Sequence, residues 1–356
     1  MTTATAERAE KHSVPSALRS PRWLSVARLL FASVCVLVLS SAPTAQSPIK
    51  LATVVPEGSI WDKNLKQMAE EWKQATDGRV AVTVYGGGSQ GDEAMVLRKM
   101  RLDALQAGSF SAVGLGSIDA SFNVFDIPFF FDSYDELNYV QDKITPAIRK
   151  AAEKKGFILL NWGILGWAQV FTKKPVQTVD DLKSMRLYTS AGNDRMVQWF
   201  KANGFQPRAM AMTDIMTGLS TGMIDGMPSP PLAAMLFQWN RQTPYMLDLG
   251  LAPIVGASVI TAKVWKTIPD ADKPKLLESA LGVEQRLRAE VPKLDENAVA
   301  MMVKNGLTVT KAVGPEWKTQ LDNLAKTMRG EMVPPDVFDL ALKARDEFRK
   351  QNPPKK

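Results

Sequence analysis

The sequence predicts a mixed α/β protein with two lobes, and three observations support this class. Short β-rich runs alternate with amphipathic helical segments along most of the chain, a pattern typical of a parallel sheet covered on both faces. The chain has 356 residues, 45% of them hydrophobic and 23% charged, which is enough for two domains with a core each. A helical segment at 270–305 is long enough to lie across both domains.

The first 46 residues have the order of a secretory signal peptide. Basic residues precede an apolar run at 29–39, and small residues up to Ala45 follow it, as export signals require. A transmembrane anchor needs about 20 apolar residues, and this run is shorter. We therefore predict cleavage near Ala45 or Gln46 rather than an uncleaved anchor, and export to the periplasm.

Cleavage there would remove the only histidine and the only cysteine, His12 and Cys35. The mature chain then cannot form an imidazole-activated serine or cysteine nucleophile, a zinc site of the Cys/His type or a disulfide. The leader carries a net charge of +3, so the formal net charge falls from +7 to +4. That charge is too small to indicate a nucleic-acid partner.

The first part of the mature chain should alternate strands with helices. We predict strands at 49–55, 80–85 and 112–115 and helices at 59–76, 92–102 and 135–155. Gly86, Gly88 and Gly91 match the G-x-G-x-x-G pattern of a dinucleotide-binding turn, which needs an acidic residue about 20 residues further on. Residues 108–116 contain no acid. We therefore predict no cofactor and interpret the glycines as a flexible turn at the carboxyl edge of the sheet.

The second part begins where the chain crosses between lobes. A second sheet is predicted to start with strands at 157–162 and 169–172, followed by a strand at Arg186, a return strand at 255–263 and helices at 193–203, 212–221, 270–305, 315–328 and 335–351. The long helix should kink at Pro292. We predict lobe I at 47–170 plus about 258–306, and lobe II at 171–257 plus about 307–356 with the C-terminal helices. No low-complexity linker joins them, which suits hinge closure.

The most informative motif is DDLKSMR at 180–186, followed by a helix, an apolar-small linker and GLSTGMIDG at 218–226. Together with the aromatic run FDIPFFF at 125–131, it resembles the extracytoplasmic solute-binding subunit of tripartite ATP-independent periplasmic (TRAP) transporters, over about 49–349. The resemblance implies a two-domain periplasmic binding protein (Venus-flytrap) fold, with a cleft between the lobes and a long helix spanning both. It also implies an organic acid ligand and, as partners, the small and large membrane subunits of a permease.

The resemblance implies that Arg186 is the anchor for the ligand's carboxylate, a role that suits a planar guanidinium. The sequence also departs from the family. Many members carry a second arginine after the glycine that corresponds to Gly166, where this chain has Trp167 and Gln169, and many carry an asparagine beyond the Asp-Gly turn, where Ser229 is the polar side chain. No acid occupies 226–238, so no bridging metal is predicted. The predicted ligand-binding residues are Arg186, Gln169, Trp167, Met227, Ser229 and Trp61.

The side chains near the predicted cleft loops are largely apolar. They are Trp61, Trp162, Trp167, Met210, Met212, Met227 and the phenylalanines at 129–131. This composition favours an apolar or aromatic monocarboxylate over a sialic acid or a small dicarboxylate. Two other classes stay open: a binding protein of an ABC-type or sensory system, since fold alone does not fix function, and a periplasmic hydrolase based on Asp and Glu. The acids at 132–136 and 180–181 begin predicted helices, where acids favour the helix dipole. We therefore predict a binding protein and no enzyme.

Overall fold

The structure, a computed structural model, describes residues 48–191, 194–311 and 315–353. The predicted signal peptide therefore lies outside the described residues and stays a prediction. None of the helices in the described part is both long and apolar enough to cross a membrane.

Nine strands of the described chain form one sheet. They are β1 (Ile49–Thr53), β2 (Val82–Tyr85), β3 (Ala107–Ser111), β4 (Phe157–Thr172), β5 (Arg186–Ser190), β6 (Gln206–Met210), β7 (Gly226–Ser229), β8 (Tyr245–Thr261) and β9 (Thr308–Lys311). Their order is β2-β1-β3-β8-β4-β7-β5-β6, and β9 also pairs with β8. β1 is parallel to β2 and β3, and β5 is parallel to β6 and β7. Each end of the sheet is therefore a parallel unit, and β4 and β8 join the two units.

The long strands β4 and β8 replace the separate short strands and the second sheet of the sequence prediction. They pair antiparallel from Phe157↔Thr261 to Thr172↔Tyr245, with three register shifts, one of them between Ile164 and Gly166. Such bulges bend a strand without ending it. Gly166 has a φ of +125°, which glycine adopts without steric cost. The bulges interrupt the alternation of side chains, so the sequence pattern showed two strands instead of one.

Twelve α-helices cover the described sheet. They are α1 (Ile60–Ala75), α2 (Glu93–Arg101), α3 (Ala112–Gly116), α4 (Tyr134–Lys154), α5 (Val179–Lys183), α6 (Asp194–Ala202), α7 (Ile215–Thr221), α8 (Pro231–Leu236), α9 (Ala262–Thr267), α10 (Lys273–Lys304), α11 (Pro315–Glu331) and α12 (Pro335–Gln351). Local capping explains several starts: the side chains of Ser59, Asp92 and Ser133 each accept a hydrogen bond from a backbone nitrogen of the first turn.

Residues 112–115 are helical, so the predicted strand there was wrong. The strand lies just before them, in β3, and Ser111 then begins α3 by accepting a hydrogen bond from the backbone nitrogen of Gly114. Glu93 on α2 also accepts from the backbone nitrogen of Ser111. These contacts turn the chain at Ser111, and an apolar run of small residues fits a short helix as well as a strand.

The long helix α10 is confirmed within a few residues of its predicted bounds, with Pro292 inside it. The C-terminal helix α12 packs on α4 and on the segment before it: Arg349 forms an ion pair of 2.5 Å with Glu136 of α4, and Phe338 contacts Phe130 with ring centroids 5.9 Å apart. It therefore lies against a helix of the predicted lobe I. The lobe boundaries, with the C-terminal helices in lobe II, stay a prediction.

Candidate ligand-binding pocket

A cavity of about 50 Å³ lies where β1 and β3 end. Its walls are apolar side chains from both halves of the chain: Trp61 and Leu65 of α1 on one side, Met212 and Phe237 near α7 and α8 on the other. Ligands of open α/β sheets bind beside the carboxyl ends of parallel strands. The position of this cavity is therefore the one expected of a ligand-binding pocket.

A wider surface cleft of about 580 Å³ lies beside the C-terminal end of α10, lined among others by Arg241, Met301 and Asn305. None of its described lining residues is a buried polar group without a partner. Cavity size alone does not make a binding site, because a site needs polar groups that converge on the ligand. The smaller pocket at the strand ends has such groups, and we therefore take it as the candidate site.

The floor of this pocket is a row of polar residues across four strands. Thr53 of β1 pairs with Ser109 of β3, Ser109 pairs with Ser258 of β8, and Asn161 of β4 pairs with Ser258. Paired residues project from the same face of a sheet, and all four line the pocket. We call these four residues the polar row.

Two atoms of the polar row have no hydrogen-bond partner among the described residues, although both are buried. Asn161 is 3% exposed, and its Nδ2 donates to the carbonyl oxygen of Trp162 at 2.9 Å, which leaves Oδ1 unpaired. Ser258 is 1% exposed, and its Oγ is unpaired as well. Buried polar atoms in proteins are nearly always hydrogen-bonded, so these two mark a place where a ligand is expected to supply the partner.

Glu93 is the ionisable group of the pocket. Its carboxylate accepts from the backbone nitrogen of Ser111 at 2.6 Å and from Ser111 Oγ at 2.8 Å. Burial raises the pKa of Glu93, although these hydrogen bonds and one from the backbone of Gly114 lower it. Burial, followed by the charge of Glu93, raises the pKa of Asp126 to about 7. No arginine or lysine is among the described residues that line the pocket.

Gly114 allows this position of Glu93. A Cβ atom at residue 114 would lie 2.3 Å from Oε2 and 2.8 Å from Cδ of Glu93, distances that a side chain cannot adopt without displacing the carboxylate. The close approach lets the first turn of α3 face Glu93, because the backbone nitrogen of Gly114 is also one of its donors. Gly114 therefore makes room for the Glu93 carboxylate at the pocket.

Arg186 has a protein partner in this structure. Its Nε and Nη2 donate to Asp225 at 2.8 and 2.7 Å, and its backbone nitrogen donates to the same carboxylate at 3.0 Å. The hydrogen bond from Arg186 holds the pKa of Asp225 below its ordinary value. The pair joins the start of β5 to the residue before β7. Its role as carboxylate anchor stays a prediction.

Arg186 lies at the end of β5 that is remote from the pocket. Arg186 is the first residue of β5, and Ser190 at the other end pairs with Met210, two residues before the pocket residue Met212. Four residues of a strand span about 13 Å. Arg186 is not among the residues that line the pocket.

Gln169 and Trp167 support the crossing strands. Gln169 Oε1 accepts from the backbone nitrogens of Leu249 and Gly250 at 2.8 and 2.9 Å. The ring of Trp167 packs edge-on against Tyr134 with centroids 5.2 Å apart, and its Nε1 has no partner among the described residues. Neither residue lines the pocket.

Of the remaining predicted residues, Trp61 alone lines the pocket. It is 4% exposed, and its Nε1 donates to the carbonyl oxygen of Ile164 at 3.0 Å, which fixes the ring. Met227 is fully buried in a separate hydrophobic cluster. Ser229 is also buried, and its Oγ donates to the carbonyl oxygen of Pro230 at 3.0 Å. Their proposed contacts with a ligand stay untested.

Sequence reasoning missed Glu93, Asn161 and Ser258. Glu93 begins a helix, where an acid has an ordinary explanation in the helix dipole. Asn161 and Ser258 were detectable, since each is a polar residue inside an apolar strand, FILLNWGIL and IVGASVIT. Such a residue must find a partner or serve a function. No cluster of three or more metal-binding side chains occurs in the described part of the chain.

The mixed α/β fold, with a candidate pocket at the ends of β1 and β3, is compatible with a two-lobe solute-binding protein. The chain belongs to the DctP family, described as bacterial extracellular solute-binding protein, family 7, whose model matches residues 51–331. The predicted fold class is thereby confirmed, and the members of this family are transport proteins rather than enzymes.

Comparison with individual proteins agrees with this assignment. The chain is 24% identical to the C4-dicarboxylate-binding periplasmic protein DctP of Rhodobacter capsulatus, over 82% of this chain and 89% of that protein. It resembles the TRAP periplasmic solute-binding protein of Pseudomonas putida F1 with bound D-glucuronate, with a TM-score of 0.77, 21% identity and coverage of 84% and 96%. It also resembles the one of Desulfovibrio salexigens with bound orotic acid, with a TM-score of 0.79, 15% identity and coverage of 86% and 99%.

Proposed function

We propose that this protein captures a small organic acid outside the cytoplasm and delivers it to a TRAP-type membrane permease with a small and a large subunit. The observation that carries the proposal is the pocket at the carboxyl ends of β1 and β3, in a chain of the DctP family. The ligands named for related proteins, a C4-dicarboxylate, D-glucuronate and orotic acid, are all acids.

Closure around the ligand follows from the size and walls of the pocket. About 50 Å³ holds only a few water molecules, so the walls must separate before an organic acid enters. The turn after β2 meets the segment after β6: a Cβ atom at Gly88 would lie 3.0 Å from Cγ2 of Thr213. Opening this contact would expose the strand ends. The closed surface would then be the form that the permease recognises.

The finer expectation of an apolar or aromatic monocarboxylate lacks support. Of the residues that suggested it, Trp61 and Met212 line the pocket, whereas Met227 and Trp162 are buried elsewhere, with Trp162 Nε1 donating to Thr145. D-glucuronate in the related Pseudomonas putida protein is a hydroxylated acid. The apolar side chains near the predicted cleft loops therefore belong to the hydrophobic core more than to the ligand-binding pocket.

A thermal-shift and calorimetric screen of the purified protein against mono- and dicarboxylates tests this function. A ligand that binds only the folded state stabilises it by about 2.7 kcal/mol at a hundredfold excess over its Kd. We expect at least one acid to bind. If no acid shifts the midpoint, the organic-acid function is wrong, and the sensory and hydrolase alternatives gain weight.

A further inference from the structure

We propose that the pocket selects a polyhydroxylated acid, because Asn161 Oδ1, Ser258 Oγ and Glu93 accept hydrogen bonds from hydroxyl groups of the ligand. This inference rests on the proposed function and names the substrate class of the same pocket. It also implies that small dicarboxylates such as succinate bind weakly.

Asn161 presents an acceptor to the pocket. Its Nδ2 is committed to the carbonyl oxygen of Trp162 at 2.9 Å. The opposite amide orientation would place two oxygens against each other, so the hydrogen-bond network fixes the assignment. Oδ1 is therefore the free atom, and only a donor can satisfy it. A hydroxyl group is such a donor, whereas a carboxylate is not.

Ser258 lies in register with Asn161 on the neighbouring strand. Its Oγ is buried and has no partner among the described residues. A hydroxyl both donates and accepts, so Ser258 can complete a hydrogen-bonded chain with a ligand hydroxyl that also donates to Asn161. Ser109 continues the row on β3. A ligand with hydroxyls on successive carbons matches such a row better than a ligand with one polar group.

Glu93 adds a negative group beside the row. Both its oxygens already accept from Ser111, and no arginine or lysine is among the described lining residues. A ligand carboxylate beside Glu93 would lose its hydration without gaining a counter-ion, which is costly in a buried site. A sugar acid can keep its single charge away from Glu93 and direct its hydroxyls toward the row. A small dicarboxylate has a charge at both ends and cannot.

The test compares D-glucuronate, D-gluconate, orotate, succinate and D-glucose by calorimetric titration of the wild-type protein and of variants. Ser258→Ala and Asn161→Leu remove the two free acceptors. Ser121→Ala is the matched control, because Ser121 Oγ is also buried without a partner among the described residues but lies in the 3₁₀ helix Ala120–Asp126, outside the pocket.

We expect a sugar acid to bind at least tenfold more tightly than succinate or orotate. Ser258→Ala should weaken that binding about tenfold without lowering the thermal midpoint of the ligand-free protein, because it removes a buried hydroxyl that has no protein partner. Ser121→Ala should leave binding unchanged. If Asn161→Leu does not fold, the effect of Ser258→Ala on sugar-acid binding is the test of the inference.

The remaining outcomes separate the inference from the proposed function. A sugar acid that binds wild type and Ser258→Ala equally well overturns the inference and leaves the function standing. Tighter binding of succinate or orotate than of both sugar acids also overturns the inference and leaves the proposed function standing. D-Glucose bound as tightly as D-glucuronate supports the polar row and overturns the organic-acid function. Failure of every compound to bind overturns both.

Discussion

Replacing Asp295 by asparagine is expected to stabilise the protein at neutral pH, although the change weakens a hydrogen-bonded contact. Asp295 lies on α10 and is 6% exposed. Its carboxylate accepts from the backbone nitrogens of Trp167 at 3.0 Å and Leu232 at 2.8 Å, and so ties the long helix to β4 and α8. Burial raises the pKa of Asp295 to about 6, more than these two hydrogen bonds lower it.

The magnitude follows from that pKa. The difference between 3.8 and about 6 corresponds to roughly 3 kcal/mol, at about 1.4 kcal/mol per pKa unit. Because the folded-state pKa is the higher one, the folded protein binds the proton more tightly than the unfolded chain. The contribution of Asp295 is therefore most favourable below about pH 4 and is lost as the pH rises through about 6.

Asparagine never ionises, but it has one acceptor oxygen where the carboxylate has two, so its Nδ2 would face one of the two backbone N–H groups, which then loses its partner at a cost of about 1–3 kcal/mol. The Asp295→Asn variant should therefore exceed the wild type by up to about 2 kcal/mol in free energy of unfolding at pH 7.5, and should be less stable than the wild type at pH 4, where Asp295 of the folded wild type is protonated. Urea unfolding followed by tryptophan fluorescence at several pH values measures both.

Glu296→Gln provides the control, since Glu296 is the exposed neighbour of Asp295 on the same helix. It should show no such pH-dependent gain. A variant Asp295→Asn that is less stable than the wild type by the same amount at every pH would refute the reasoning. That result would mean that the two backbone hydrogen bonds outweigh the cost of burying the charge.

Three further substitutions test other parts of the structure. Arg186→Gln should lower the thermal midpoint and leave the affinity for the bound acid unchanged in calorimetric titration; a large loss of affinity would support the predicted role of Arg186 as carboxylate anchor. Gly114→Ala places a methyl group against Glu93 and should cost about 1–3 kcal/mol in urea unfolding, with weaker ligand binding; unchanged values for both would contradict the contact. Arg349→Ala leaves the buried carboxylate of Glu136 without its ion pair and should cost about 3 kcal/mol, and an unchanged urea midpoint would contradict this.

Local signals made the helices predictable. The side chains of Ser59, Asp92 and Ser133 cap their helices. Each contact joins residues three positions apart, so a short stretch of sequence is enough to predict where the helix begins. The long helix α10 was predictable from local sequence as well, because apolar residues recur along one face through Pro292. Prediction failed where the cause is distant in sequence: Glu93 helps to turn the chain at Ser111, 18 residues away.

The candidate site was less predictable than the fold for the same reason. The motif around Arg186 identified the family, but the partner of its guanidinium is Asp225, 39 residues further on, and no spacing rule reveals that pair. The polar row depends on the register of strands that are up to about 200 residues apart in sequence, from Thr53 to Ser258. Only the folded sheet brings these side chains together.

The shared pair β4 and β8 has a consequence for how the protein can be divided. Their ladder runs from Phe157↔Thr261 to Thr172↔Tyr245, a length of roughly 50 Å. A fragment that ends after Thr172 would lack β8 altogether and would expose the unpaired backbone of β4, a 16-residue strand. Exposed edges of this length pair with other chains and aggregate. Neither half of this molecule is therefore expected to be soluble alone, and the two lobes must complete their folding as one unit.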